Sequence, residues 1–445
     1  MRITVIGTGY VGLVSGICFS EIGHRVICVD NNSEKIDKLN NGVVPIYEPH
    51  LAEILSKAGK NHQISFTTDL GQAIEQSEVI FIAVGTPQDE VSGDADLSFV
   101  YQAAKDIALS SKSYKLIITK STVPVGTNQE IKQIIKTHNP DLDFSVASNP
   151  EFLKQGAAVE DFLHPDRIII GVEEDDIRAQ NLITKIYESL KNARIIYTDI
   201  ASAELIKYAA NSFLAIKIGF INEIANLCEK VGADVSEVAK GIGLDPRIGP
   251  KFLNPGPGFG GSCFPKDILA LASTAKQNEL KLSIIDAVIS SNHNRKLSMV
   301  DKIIAACNDD ISNKTITILG LAFKAGTDDV RCSPSITIIK ELIKRGAKIN
   351  AYDQEAMQNC QKEIGDNPAI RYFTSPYEAS QNSDALVIAT EWDEFRNLDL
   401  KKIKELQKEP LIIDLRNMIE AKKAEELGFA YFGIGKKSNN SQLVD

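Results

Sequence analysis

A chain of 445 residues is longer than one ordinary core can serve, so two or three domains are expected. The balance of 49 Lys and Arg against 59 Asp and Glu gives a formal charge of -10, which excludes a broad nucleic-acid footprint but leaves room for a small anion held by a few converging cations. The hydrophobic share of 43% is that of a globular protein; seven scattered cysteines without a CxxC pair and six dispersed histidines argue for a reducing, cytoplasmic setting with no disulfide framework and no metal.

The apolar start MRITVIGTGYVGLVSGICFSEIG is interrupted by four glycines before it ends on a fifth and lacks a small-residue cleavage site, so it reads as strand and helix rather than as a leader. No other segment is long and apolar enough to span a bilayer. From there the runs ITVI, RVICV, ISFTT, VIFIAV, KLIITKS, FSVAS, RIIIGV and RIIYT alternate with helical stretches. Each run is apolar at nearly every position, as parallel strands covered on both faces would be. They predict a doubly wound α/β domain over residues 1–199. One long helical stretch follows, AELIKYAANSFLAIKIGFINEIANLCEKVG, ending at Gly232; its apolar circumference predicts burial inside a domain or against a second subunit. With the loop KFLNPGPGFGGSC it forms a helical middle over 200–299.

The remainder, 300–445, echoes the beginning. ITILGLAFKAG at Ile316 resembles ITVIGTGYVG at Ile3, GAKINAYD resembles GHRVICVD, and ALVIATEWD resembles VIFIAVGTP. A second Rossmann-like domain is therefore expected, with the polar tail KKSNNSQLVD disordered.

GTGYVG, Gly7 to Gly12, fits GxGxxG, follows a strand, opens a helix and stands 18 residues before Asp30. Gly7 suits the tight turn, Gly9 the approach of a pyrophosphate to backbone N–H groups, and Gly12 close helix packing. Asp30 at the end of the next strand suits the two adenosine ribose hydroxyls and favours NAD over NADP. The alternative is a glycine turn that binds nothing. The second copy, Gly320 to Gly326, lacks the spacing and is not expected to bind NAD.

Lys207 and Asn211, four apart on the long helix, share a face and suit a developing oxyanion; the alternative is a surface lysine beside a core or capping asparagine. Cys263 in GFGGSCFPKD precedes Pro265, a residue suited to a helix's first turn, so its thiol lies near a helix N-terminus, where thiolate is favoured. The alternative is a small buried thiol. Asp267 suits either a proton partner or the helix dipole. STVPVG and SNPEFL follow strands that end at the sheet's C-terminal edge, where Thr122 and Glu151 would manage a water; the alternative for the second is capping, with Asn149 as N-cap and Pro150 and Glu151 in a helix's first turn.

GTGYVG, GTP at Gly85, STVPVG, NPEFLKQG, KYAANSF, GFGGSCFPKD and LAFKAGTDDVR together resemble, in order and over nearly the whole chain, the nucleotide-sugar 6-dehydrogenases of the UDP-glucose/GDP-mannose dehydrogenase family. The resemblance implies NAD as cofactor, UDP-glucose as substrate and UDP-glucuronate as product, through a thiohemiacetal and a thioester on Cys263. It also implies Lys207 and Asn211 as oxyanion partners, Asp267 in the water chemistry, and Thr122 with Glu151 in ordering water or substrate. The implied cofactor contacts are Gly7, Gly9, Tyr10, Val11, Gly12, Asp30, Lys35, Gly85, Thr86, Pro87, Ser121, Thr122, Glu151, Cys263, Lys266 and Arg331. The implied substrate contacts are Glu151, Phe152, Leu153, Lys207, Asn211, Phe252, Leu253, Asn254, Gly260, Phe323, Lys324 and Arg416. Arg247 by the same resemblance is a substrate contact that reaches a neighbouring subunit's sugar site, which implies at least a homodimer built on the long helix. Cys332 replaces an acid common in the family and is read as non-catalytic. Two alternatives remain: the same chemistry on GDP-mannose or an N-acetylated UDP-sugar, and a two-electron dehydrogenase or nucleotide-sensing protein with a structural Cys263.

Overall fold

The structure, a computed structural model, describes residues 1–89 and 94–436; the tail expected to be disordered lies, from residue 437, outside the described residues. The chain divides into two compact units, Met1–Ala210 with Leu269–Lys281, and Asn211–Ile268 with Leu282–Asp445.

The first unit holds an eight-stranded sheet of β1 (Arg2–Ile6), β2 (Arg25–Val29), β3 (Ile64–Thr67), β4 (Val79–Ile82), β5 (Lys115–Thr119), β6 (Phe144–Ser148), β7 (Ile168–Gly171) and β8 (Ile195–Thr198). Their order is 3-2-1-4-5-6-7-8. The central strands β4 and β5 are buried at every position, because helices cover both faces. Ile3 pairs with Val26 on one side and Val79 on the other. The expectation of an all-parallel sheet is corrected at β7, which pairs antiparallel with β6 through Ser148 and Gly171, and β8 follows it in parallel. The cause is the connection. Its helix, Ala158–Leu163, has six residues and so spans roughly 9 Å, less than the roughly 16 Å of a five-residue strand. Gly156 and Ala158 are also held by backbone bonds to the buried carboxylate of Glu48, each at 2.7 Å. The chain therefore re-enters the sheet from the edge it left.

The second unit holds β9 (Thr315–Leu319), β10 (Lys348–Tyr352), β11 (Ile370–Tyr372), β12 (Ala385–Ile388), β13 (Leu411–Asp414) and β14 (Ala430–Phe432), all parallel, in the order 11-10-9-12-13-14. Renumbered from its first strand this is 3-2-1-4-5-6, the doubly wound order of dinucleotide-binding folds. The sequence echo is thus a repeat of the fold.

The long helix, Ile200–Val231, has 32 residues. It stops as expected, Gly232 taking φ +78° and donating its N–H to the carbonyl of Cys228 at 2.9 Å. Ala203, Tyr208, Ala215, Ile221 and Ala225 are buried, while Leu205, Phe213, Phe220, Leu227 and Val231 stand exposed on the opposite face. Burial of this helix within one chain is therefore one-sided. The helices Phe264–Gln277 and Ser283–Ala306 follow.

Candidate active site

In the first unit the glycine fingerprint behaves as its spacing demands. Gly7 takes φ +99°, and a Cβ there would lie 2.6 Å from the carbonyl oxygen of Ala83. A Cβ on Gly12 would lie 2.0 Å from the oxygen of Gly7, so the helix Tyr10–Glu21 approaches the turn as closely as it does because position 12 has no side chain. Gly9 caps that helix without a side chain, and a Cβ there would meet nothing within 4 Å. That open approach to the helix start, beside Tyr10 and Val11, fits a pyrophosphate. Asp30 follows β2 and accepts from the Thr8 amide at 2.9 Å, the Thr8 hydroxyl at 2.6 Å and Lys35 Nζ at 3.1 Å. Partial burial opposes its ionisation, but these bonds and the Asn32 amide outweigh it and hold the carboxyl below its usual range. An anionic acceptor at this strand end fits a ribose diol. The residues present therefore fit NAD.

Gly85, Thr86 and Pro87 follow β4. Thr86 Oγ1 donates to the Thr122 carbonyl at 3.0 Å, and Ser121 Oγ donates to the Val84 carbonyl at 2.7 Å, so the loops after β4 and β5 form one surface. The segment from Asn149 to Lys154 is not helical, which overturns the capping alternative. Asn149 instead bonds the Ile169 carbonyl through Nδ2 at 2.9 Å. Glu151, freed from a capping role, is buried and pairs through Oε1 with Lys207 Nζ at 3.2 Å. Lys207 is 3% exposed, which overturns the surface-lysine alternative. Its ammonium also stands 5.2 Å from the Phe152 ring, whose face Arg167 covers at 3.8 Å. The Leu153 amide donates to Glu151 Oε2. Glu151, Phe152, Leu153 and Lys207 are thus one cluster.

In the second unit Cys263 immediately precedes the helix Phe264–Gln277, and its carbonyl accepts from the Asp267 amide at 2.8 Å, the first turn of that helix. Pro265 sits in that turn, as expected. Asp267 is 1% exposed; it accepts from Asn211 Nδ2 at 2.6 Å and pairs with Lys266 Nζ at 2.8 Å. It therefore has two side-chain partners besides its place in the helix's first turn. Ser262 Oγ lies 3.7 Å from Cys263 Sγ.

The loop before Cys263 has no regular structure, yet its backbone is satisfied. Asn222 Oδ1 accepts from the Gly256 amide at 2.8 Å, and Arg295 Nε donates to the Gly256 carbonyl at 2.8 Å. Asn292 accepts from the Phe259 amide at 2.8 Å and donates to the Phe259 carbonyl at 3.1 Å. The Gly261 amide donates to the Arg331 carbonyl at 2.8 Å. Glycines are required by proximity: a Cβ on Gly260 would lie 2.4 Å from the Cys332 carbonyl, and one on Gly261 2.8 Å from the Phe323 ring. Arg416 Nη2 donates to the Phe323 carbonyl at 3.2 Å and its guanidinium pairs with Glu391 at 3.1 Å. Gly260, Phe323 and Arg416 are thereby gathered. Phe252 stacks at 6.1 Å on Phe264 beside buried Leu253. Lys324 stands over Phe323, and Arg331 pairs with Asp329 at 2.6 Å. Arg247 and Asn254 are exposed, and Arg247 meets Asp245.

Asp353, the counterpart of Asp30 in the repeat, is fully buried and accepts from the Leu321 amide at 2.7 Å, the Ala322 amide at 3.1 Å and the Trp392 indole at 3.0 Å. Its acceptors face the protein's own donors, where those of Asp30 stay partly open.

Sequence reasoning did not find Asn222, Asn292 and Arg295, the holders of the cysteine loop, nor Lys120. Lys120 is buried and donates to Asn149 Oδ1 at 2.9 Å; burial pushes its ammonium down to about 8, against the pull of Glu151. The available signal was polar residues at otherwise apolar positions: Asn222 in FINEI and Lys120 after IIT.

Sheet order, fingerprint and acid define a doubly wound dinucleotide-binding protein. Models of the UDP-glucose/GDP-mannose dehydrogenase family match three stretches: its NAD binding domain over residues 1–191, its central domain over 201–294 and its UDP binding domain over 317–421. UDP-glucose 6-dehydrogenase of Rhizobium meliloti (strain 1021) is 50% identical over 98% of this chain and 100% of its own length. Among solved structures, a UDP-glucose dehydrogenase from the archaeon Pyrobaculum islandicum superposes with a TM-score of 0.90 at 35% identity, covering 98% of both chains. A UDP-D-ManNAc dehydrogenase from Pyrococcus horikoshii superposes with a TM-score of 0.86 at 31% identity, covering 98% of this chain and 100% of that one. The chain belongs to the UDP-glucose/GDP-mannose dehydrogenase family and is an NAD-dependent oxidoreductase. Among the described residues no helix is long and apolar enough to cross a membrane, and no cluster of His, Cys, Asp and Glu could hold a metal.

Proposed function

We propose that the protein oxidises UDP-glucose to UDP-glucuronate, a four-electron reaction. The observation that carries the reading is Cys263 at the start of a helix whose first turn holds buried Asp267, bonded to Asn211 of the long helix and paired with Lys266, within a chain half identical to a UDP-glucose 6-dehydrogenase. Bound NAD+ supplies the hydride acceptor for each of the two oxidations. Cys263 adds through sulfur to C6 of the aldehyde, converting C=O to a C–O– oxyanion and a C–S bond. Asn211 and Lys207 bring an amide donor and an ammonium for oxyanions, favoured because buried donors are preorganised. The second oxidation leaves a thioester. Water then adds at C6 and the C–S bond breaks, returning the thiol and a carboxylate; Asp267 takes part in handling the water's protons, and Thr122 with Glu151 orders water or substrate.

The cofactor contacts proposed are those named above from Gly7 to Pro87, with Ser121, Thr122, Lys266 and Arg331; Phe252, Leu253, Gly260, Phe323, Lys324 and Arg416 serve the nucleotide sugar. The working division is a cofactor domain over 1–199, a helical middle over 200–299 and a UDP-sugar domain over 300–445. We place the enzyme in the cytoplasm, which the seven free cysteines support. At least a homodimer is proposed, the exposed Phe213, Phe220 and Leu227 of the long helix being the face a second copy would cover, with Arg247 exposed to reach it.

The test is NADH formed per UDP-glucose consumed, with limiting sugar and excess NAD+, and the product's mass. Two NADH and a carboxylate are expected; one NADH with an aldehyde or ketone would discard the thioester route. The likeness to a UDP-D-ManNAc dehydrogenase supports a second reading, the same chemistry on another nucleotide sugar. A higher kcat/KM for GDP-mannose or an N-acetylated UDP-sugar would establish it.

A further inference from the structure

Lys120, directly after β5, is a buried titratable group that the proposed reaction leaves unused; it is 6% exposed. Its Nζ donates to Asn149 Oδ1 at 2.9 Å and stands 5.9 Å from the Phe162 ring, and among the described residues it pairs with no carboxylate. The acceptor is held in turn. Asn149 Oδ1 also accepts from the Tyr187 hydroxyl at 2.5 Å, and Nδ2 donates to the Ile169 carbonyl at 2.9 Å, so a fixed amide fixes the ammonium. Asn149 stands two residues before Glu151, whose Oε1 lies 3.2 Å from Lys207 Nζ.

The charges of this cluster do not balance. Glu151, Lys207 and Lys120 are all buried, one carboxylate for two ammonium groups. Glu204, an acid one turn earlier on the long helix, accepts from the Gly126 and Asn128 amides, and Asp161, beside Phe162, pairs with Lys154. Arg167, over the face of Phe152, adds a further cation. Burial is the main force that pushes Lys120 down to about 8; Glu151 opposes it and Lys207 adds to it, so both members of the pair act on this ammonium. A buried ammonium that faces one neutral acceptor costs stability, where an apolar side chain of similar length would not. Charged groups held at such a cost concentrate at functional sites.

We propose that Lys120 is a positioning residue for the oxidation, adding a second buried cation to the Glu151–Lys207 pair so that its positive charge exceeds what the carboxylate balances until an oxyanion forms at Lys207. Lys120 acts through Lys207, without touching the substrate, and so rests on the oxyanion role proposed for that residue. The C6 alcohol and the aldehyde are neutral, and the excess charge does little for either. An oxyanion restores the balance, so the stabilisation is realised where charge develops rather than in the ground state.

The experiment measures kcat and KM of the wild type, Lys120→Met, Lys120→Gln and Lys207→Met from about pH 6.5 to about pH 9.5, on the nucleotide sugar that the wild type oxidises best. At neutral pH Lys120→Met should lose about tenfold or more in kcat while KM for the sugar holds, the pattern of an interaction made only in the transition state. It should also be the more stable protein in urea. Lys120→Gln keeps a donor for Asn149 and should lose as much, because the charge acts and not the hydrogen bond. Both deficits against the wild type should shrink above pH 8, where the wild type's own Lys120 loses its proton. Unchanged kcat in either variant, a deficit of one size at every pH, or a loss carried wholly by KM would overturn the proposal. Lys207→Met separates it from the reaction proposed above. A wild-type rate there removes the oxyanion role and the role of Lys120 with it, whereas a large loss there with none in Lys120→Met overturns the role of Lys120 alone. Preference for a sugar other than UDP-glucose corrects the substrate and leaves the comparison of variants in force.

Discussion

Asn211 donates from Nδ2 to Oδ2 of Asp267 at 2.6 Å, and both side chains are buried. The bond joins the long helix to the helix that Cys263 begins, across 56 residues of chain. Removing it by Asn211→Ala should cost about 1.5–3 kcal/mol, the scale of a hydrogen bond to a charged group. The proposed oxyanion role adds a fall in kcat of about 10²-fold or more. Urea midpoints and steady-state rates read the two effects separately; a stability loss with kcat intact would make the bond structural.

Cys263→Ser should lower steady-state turnover by about 10³-fold or more, the scale of losing a nucleophile, while thermal stability changes little because the replacement keeps the shape. Mass spectrometry of the wild type quenched during turnover should show a sugar adduct on Cys263 that the variant lacks. Near-normal turnover in the variant would return the thiol to a structural role.

Gly9→Ala and Gly12→Ala should separate cofactor binding from folding. Gly9 already has φ -76°, and a Cβ there meets open space, so Tm should hold while KM for NAD+ rises. A Cβ on Gly12 lies 2.0 Å from the Gly7 oxygen, so the helix must move and stability should fall by about 1–3 kcal/mol, as in overpacking. Equal effects on Tm from both variants would refute the assignment.

Lys120 makes a prediction with a defined pH window. Burial lowers its ammonium to about 8 in the folded protein, below the roughly 10.4 of an unfolded chain. Between those values the unfolded chain binds more protons, so this group makes stability rise with pH, by at most about 1.4 kcal/mol per unit. Below pH 8 its full cost is present. Lys120→Met should therefore gain on the wild type at pH 7, with the difference shrinking from pH 8 to about 10.4. Urea denaturation of both proteins across that range checks it; parallel curves would show that Lys120 does not titrate there.

Much of the fold was legible because its signals are local. Apolar runs of strand length, the glycine that ends the long helix and Pro265 beside Cys263 each act within a few residues, and each is where the pattern predicted. The reversal of β7 was not legible, since it depends on a connecting helix too short to cross the sheet. The one-sided exposure of the long helix was equally hidden, because an apolar circumference does not say which side its own chain covers.

The sequence by itself determined the strand and helix alternation, the repeat, the dinucleotide fingerprint and the position of the cysteine, all consequences of short-range sterics and side-chain periodicity. Tertiary structure alone decided that Lys207 meets Glu151, that Asn211 meets Asp267, and that Asn222 and Arg295 grip Gly256. These partners lie tens of residues apart. A buried polar group must find its complement wherever the packed chain brings one, and no local pattern encodes that choice.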